Sequence, residues 1–206
     1  MKSLMSHLDI FPINKNDLFY INNFLKKNFN FEKESYSNID DIIVKFYKPF
    51  FKKNYLENNN LVLVPFIQDW GDIDFLSILL SYYKKNKITE KIYVCNTQLL
   101  HENTIDIGFS VNLENKINGV DLKNEAKFRY DYSIIFPQNF SFSIILNNDD
   151  DLIFAIDKTQ ILKIISKDVL KSYYNKLDFK SDDLYLEIYK NFCNCSYYKD
   201  FFLIND

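Results

Sequence analysis

The sequence predicts an α+β protein whose sheet is mainly antiparallel. The first indication is the segment 131–171, which reads as three strands joined by short polar turns and followed by a helix. The second is that short apolar runs of strand length alternate with segments of helical periodicity. The third is the five-residue polar turn at 147–151, a length that joins antiparallel neighbours. We therefore expect one α+β domain over residues 1–206, with a helical layer over about residues 1–60.

Two amphipathic helices are predicted in that N-terminal layer. The first covers residues 17–28, can be capped by Asn16 or Asp17, and places its apolar residues on one side. The second covers residues 38–48, has acidic residues in its first turn and ends before Pro49. Polar residues 57–60 then indicate a loop.

The middle of the chain predicts three strands and one helix. A strand at 61–67 contains Pro65, which predicts a position at a sheet edge or a bulge. A helix at 72–84 and a short strand at 92–95 follow. Residues 104–113 alternate strictly between apolar and polar side chains, which predicts a strand with one buried face. The polar segment 121–130 fits either a helix or a loop.

The central unit consists of predicted strands at 132–136, 140–146 and 152–156. In the second of these, apolar side chains occupy one face and Ser141 and Ser143 the other, which is typical of a half-buried strand. Asp157, with Gln160 three residues later, forms a capping-box pattern at the start of a helix over 157–171. A last helix is predicted at 181–192.

Composition excludes several classes of function. A net charge of −3, a pI near 5.5 and a single arginine, Arg129, argue against a protein that wraps nucleic acid. The three glycines lie far apart, so neither a P-loop nor a dinucleotide-binding motif is present. No apolar run approaches the roughly 20 residues of a membrane span, and residues 1–9 lack a secretory signal pattern. We expect a cytoplasmic protein with no membrane or nucleic-acid partner.

Few residues offer chemistry. Cys95 and His101 could form a nucleophile pair, and with Cys193 and Cys195 they have the ligand types of a zinc site. The spacing of the cysteines lacks the paired knuckles of a zinc ribbon, so we expect no metal and no cofactor. Asp69, Asp72 and Asp74 cluster before a helix, where Asp69 or Asp72 would cap and Asp74 would favour the first turn. Because the cysteine spacing does not fit a metal site and the aspartates are explained by helix capping, we predict that the protein is not an enzyme.

The segment 131–145 (DYSIIFPQNFSFSII), followed by an acidic turn, an apolar strand and a helix, resembles a pattern found in immunity proteins of bacterial polymorphic and contact-dependent toxin systems. The resemblance covers residues 131–171. Such proteins protect a cell by binding a toxin domain tightly. The resemblance implies that the partner of this chain is a cognate toxin, and a basic nuclease domain would complement its negative net charge.

An immunity protein would act by stoichiometric occlusion of the toxin, with acidic and aromatic side chains at the contact. The candidate toxin-binding residues are Asp69, Trp70, Asp72, Asp149, Asp150 and Asp151. Two alternatives are open at this point. One is a metal-dependent hydrolase that uses Asp69, Asp72 and Asp74, and the other is a self-assembling structural or phage-related interaction protein.

Overall fold

The computed structural model describes residues 8–37, 43–66, 74–100, 107–114, 117–147 and 152–169. These residues form an α+β fold, which confirms the predicted fold class. The elements follow one another in the order β1 (Ile10–Pro12), α1 (Lys15–Asn28), β2 (Phe29–Ser37), β3 (Ile43–Phe51), α2 (Lys53–Asn58), β4 (Leu61–Phe66), α3 (Phe75–Lys85), β5 (Lys91–Asn96), a 3-10 turn (Thr97–Leu100), β6 (Gly108–Asn112), α4 (Gly119–Arg129), β7 (Tyr132–Pro137), β8 (Phe142–Asn147), β9 (Leu152–Asp157) and α5 (Lys158–Ile164).

Seven of the described strands form one antiparallel sheet in the order β1-β6-β5-β7-β8-β9-β4. The consecutive strands β7, β8 and β9 form the meander that the sequence predicts. β4 lies at one edge of the sheet, as Pro65 predicts, because proline has no N–H to donate to a second neighbour. The antiparallel sheet is therefore confirmed in its centre and at this edge.

Three helices pack on one face of the sheet. The Phe75 ring of α3 packs against Phe154 of β9 with the ring centroids 4.7 Å apart. Further along α3, the Tyr83 ring meets Phe142 of β8 edge-on at 4.9 Å. α4 and α5 also contact α3. The segment 121–130, which fits a helix or a loop in sequence, is thus helical because its buried Leu122 and Ala126 lie against the sheet and α3.

The opposite face is covered by α1, α2 and the β2–β3 hairpin. Phe24 of α1 contacts Phe136 of β7 with the ring centroids 4.9 Å apart. Tyr55 of α2 shares a hydrogen bond of 2.9 Å with Ser143 of β8. Lys48 of β3 lies 5.9 Å above the Tyr132 ring. Both faces of the central strands are therefore buried, and all six residues of β8 are buried.

This double coverage corrects the prediction of half-buried strands. Ser143 is fully buried, although its polarity predicts an exposed face. Phe140 does not belong to β8, because it adopts a φ of 54° in the turn before the strand, and its ring stacks on Phe24. In β6, Gly108 and Ser110 are buried as well as their apolar neighbours. Sheets covered on both faces lose the simple alternation on which those predictions depended.

The helix predicted over 38–48 is wrong at residues 43–48, which belong to β3, while residues 38–42 lie outside the described part of the chain. β3 pairs with β2 in a register that runs from Phe29 opposite Phe51 to Ser37 opposite Ile43. The apolar spacing fits a helix, but Ile, Val, Phe and Tyr residues also favour strands, and a partner strand is available. Because of this hairpin, the first 60 residues do not form the helical layer that we expected.

Two further helices differ from prediction at one boundary each. Helix α1 starts at Lys15, and its N-cap is Asn14, whose side-chain oxygen accepts from the Asp17 N–H. Helix α5 begins after its predicted cap Asp157 but ends at Ile164, so it does not reach residue 171. The predicted helix 181–192 and residues 104–106 of the predicted strand 104–113 lie outside the described residues.

Candidate functional site

The six candidate toxin-binding residues lie outside the described part of the chain, in the segments 67–73 and 148–151. The described residues that flank these segments are neighbours in the sheet. Phe66, the last residue of β4, pairs with Leu152, the first residue of β9. Leu152 in turn pairs with Leu146 near the end of β8. Both acidic segments therefore join the sheet at the same end of three adjacent strands.

Asp74, the third carboxylate of the hydrolase alternative, is the N-cap of α3. One of its oxygens accepts a hydrogen bond of 3.0 Å from the Ser77 N–H, and the other accepts from the Ser77 hydroxyl. The Ser77 hydroxyl oxygen accepts in turn from the Gly119 N–H at the start of α4. The prediction that Asp69 or Asp72 caps this helix is therefore wrong. Asp74 links the first turns of two helices, which is a structural role.

Cys95 lies in the middle of the sheet and is fully buried. Burial raises the pKa of its thiol far above the ordinary value, so the reactive thiolate is disfavoured. His101, Cys193 and Cys195 lie outside the described residues. Among the residues that the structure describes, no group of three or more metal-binding side chains comes together.

A small polar cleft opens where β5 ends and β7 begins. It has a volume of about 60 Å³ and is lined by Asn96, Thr97, Gln98, Arg129, Tyr130, Asp131 and Tyr132. Arg129 is paired with Glu125 at 2.7 Å and lies 5.7 Å from the centre of the Phe109 ring. The cleft has room for a few water molecules and is well below the roughly 300 Å³ of a typical ligand pocket. It therefore suits ordered water better than an organic substrate.

The outer side of α1 presents two aromatic rings to solvent. Phe19 is 66% exposed and Tyr20 is 64% exposed, and their rings meet edge-to-face with centroids 5.7 Å apart. They lie away from the buried residues Ile21 and Leu25, since Phe19 is two residues, or about 200°, from Ile21. The predicted apolar side of this helix accounts for its buried residues but not for Phe19 and Tyr20. Two aromatic residues outside that apolar side are the sequence signal that indicates an exposed aromatic surface.

A hydrogen bond from the sheet fixes α1 in place. The Tyr93 hydroxyl of β5 donates to Asp17 at 2.8 Å, and the Asn14 amide donates to the same carboxylate oxygen at 2.7 Å. Burial, and then the adjacent Asp17 carboxylate, raise the pKa of Tyr93 far above its ordinary value. Tyr93 therefore stays protonated and keeps donating over the whole physiological pH range.

A third exposed ring lies on the other side of the sheet. Phe128 of α4 is 86% exposed, and Val120 and Asn124 precede it on the same stripe of the helix at intervals of four residues. Phe128 and the Phe19–Tyr20 pair belong to helices on opposite faces of the sheet. The two aromatic surfaces are therefore separate.

Comparisons with protein-family models, curated proteins and solved structures give no match to this chain. Among the described residues, no helix has the length and apolar character needed to cross a membrane.

Proposed function

We propose that this protein is a cytoplasmic immunity protein that binds a cognate bacterial toxin and neutralises it by covering its active surface in a stoichiometric complex. The observation that carries the proposal is the register at one end of the sheet. Phe66, Leu152 and Leu146, which flank the two acidic candidate segments, occupy adjacent strands. Two acidic segments that are 75 residues or more apart in sequence thus join one end of one sheet.

Such an end would suit a basic partner. Asp69, Asp72 and the run Asp149 to Asp151 contribute five carboxylates, and Trp70 adds one large aromatic side chain. Opposite charges accelerate association, and a tryptophan is among the side chains that contribute most to interface affinity. Nuclease domains carry basic surfaces for their nucleic-acid substrates, so this contact would compete with the substrate.

The scaffold behind these segments is well suited to hold them. β4, β8 and β9 contain the buried residues Val64, Ile144 and Phe154, each at most 2% exposed. A strand packed on both faces has little freedom to move, so the strand ends from which the two segments start are held in position. Among the described residues, Asp74 caps a helix, and the hydroxyls of Tyr55 and Tyr83 form hydrogen bonds between packed elements.

The test is co-expression with the protein encoded by the neighbouring reading frame. We expect that protein to kill cells when expressed alone, to be tolerated with this chain, and to elute with it as a one-to-one complex. Replacing Asp69, Asp72, Asp149, Asp150 and Asp151 by Asn should abolish protection without unfolding the domain. The matched control is Glu90→Gln with Glu114→Gln. These exposed carboxylates lie next to the start of β5 and the end of β6, at the end of the sheet opposite the two acidic segments. Full protection by the five-residue variant would show that these carboxylates are not part of the contact. If the neighbouring protein does not kill cells when expressed alone, the immunity function is refuted.

A further inference from the structure

The outer face of α1 combines the two exposed rings with a regular set of lysines. Lys15, Phe19, Asn23 and Lys27 follow one another at intervals of four residues and so lie along one stripe of the helix. Tyr20 and Lys26 lie beside this stripe, and all of these side chains are exposed. The stripe is about 18 Å long from Lys15 to Lys27, at 1.5 Å per residue. We call this set of six residues the α1 face.

The charge of the α1 face is positive and uncompensated within the described part of the chain. Lys15, Lys26 and Lys27 form no ion pair with a described residue. The one carboxylate in the helix, Asp17, is turned toward the sheet, where it accepts from Tyr93 and Asn14. The surface thus has two aromatic rings with lysines at both ends, on a protein whose net charge is −3.

We propose that the α1 face is a docking surface for a second protein, whose contact surface carries Asp and Glu side chains around an apolar pocket. Phe19 and Tyr20 enter that pocket, and the three lysines pair with the carboxylates at its rim. Protein interfaces usually have aromatic anchors at the centre and a polar rim, and complementary charges at that rim favour the correct partner. This surface does not depend on the toxin proposal, because it uses other residues and the opposite charge.

The same features argue against other occupants. A second copy of this chain, docked face to face by a two-fold axis, would bring lysines against lysines in an interface that needs attraction. A lipid surface would have to accept the amide side chains of Asn16 and Asn23, which lie next to the rings on the exposed side. An acidic protein surface can satisfy these amides by hydrogen bonds, because it presents both apolar and polar groups.

The test uses a phage-displayed library of random 12-residue peptides, selected on the immobilised full chain. We expect enriched peptides to carry Asp or Glu on both sides of an apolar residue. Synthetic copies should bind the wild-type chain and lose at least about tenfold in affinity for Phe19→Ala/Tyr20→Ala, as expected for anchor residues. The triple variant Lys15→Glu/Lys26→Glu/Lys27→Glu should lose at least about fivefold, and the wild-type affinity should fall with added salt.

Phe128→Ala is the matched control, because it removes an even more exposed ring from the opposite side of the sheet. We expect its affinity to stay within about twofold of wild type, and all variants to keep the wild-type circular dichroism spectrum, since the substituted side chains are exposed. Failure to enrich any peptide would overturn the proposal, as would enriched peptides without acidic residues or peptides that bind Phe19→Ala/Tyr20→Ala equally well. Sedimentation with phosphatidylserine vesicles that requires Phe19 would also overturn it and assign the face to a membrane.

Discussion

The hydrogen bond between Tyr55 and Ser143 gives the sharpest test of how the layers are joined. It connects α2 to the middle of the sheet over an O–O distance of 2.9 Å. Tyr55 is 6% exposed and Ser143 is fully buried, so neither hydroxyl can turn to solvent when its partner is removed. Tyr55→Phe should therefore lower the free energy of unfolding by about 1–3 kcal/mol, the usual effect of leaving a buried hydroxyl without a partner.

The double variant separates this hydrogen bond from packing. Ser143→Ala alone leaves the Tyr55 hydroxyl buried without its partner and should cost a similar amount. Tyr55→Phe/Ser143→Ala leaves neither hydroxyl, so its loss should be smaller than the sum of the single losses by at least about 1 kcal/mol. Urea unfolding followed by circular dichroism measures all three variants.

The control for this cycle is Tyr20→Phe, which removes a hydroxyl from a ring that is 64% exposed. We expect its unfolding free energy to stay within about 0.5 kcal/mol of wild type. Single losses that add within about 0.5 kcal/mol in the double variant would show that the two hydroxyls do not depend on one another, and would refute the reasoning.

Three further predictions concern the core. Gly119→Ala should lower the free energy of unfolding by about 1–3 kcal/mol, because a Cβ there would lie 2.4 Å from the Ser77 backbone nitrogen. The control Asn124→Ala, in the same helix, should change the free energy of unfolding in urea by less than about 0.5 kcal/mol. Burial raises the pKa of Tyr55 to about 12 and that of Tyr83 to about 12, from 10.0. The unfolded chain loses these protons first, so the free energy of unfolding should fall between pH 10 and pH 12 by on the order of 1.4 kcal/mol per pH unit for each tyrosine. Tyr55→Phe should make this fall less steep. An unchanged slope would contradict the raised pKa of Tyr55. Cys95 should resist alkylation at pH 8 in the native protein and react fully in urea, as followed by peptide mass spectrometry, because its thiol is buried; rapid native labelling would contradict that burial.

Local sequence patterns determine a good part of this fold. The apolar runs that become β7, β8 and β9 are separated by short polar turns, and such neighbours pair with little loss of chain entropy. Pro65 predicts an edge strand, and Asp157 predicts the start of α5, since each acts through its own backbone or the next turn. These features depend on residues close together in the chain, so the sequence is sufficient to predict them.

Long-range contacts decide the rest. Residues 43–48 have an apolar spacing that fits a helix, yet they form β3 because β2 supplies a complete hydrogen-bonding partner. Ser143 is polar, yet it is buried because Tyr55, 88 residues away, satisfies its hydroxyl.

The candidate surfaces divide in the same way. The sequence by itself identifies the acidic segments 67–73 and 148–151 and the net charge. Only the tertiary structure brings Phe66, Leu152 and Leu146 together at one end of the sheet, and only it leaves Phe19 and Tyr20 exposed. The physical reason is that helix and strand periodicity define which side chains share a face, whereas the packing of distant elements decides which of those faces is covered.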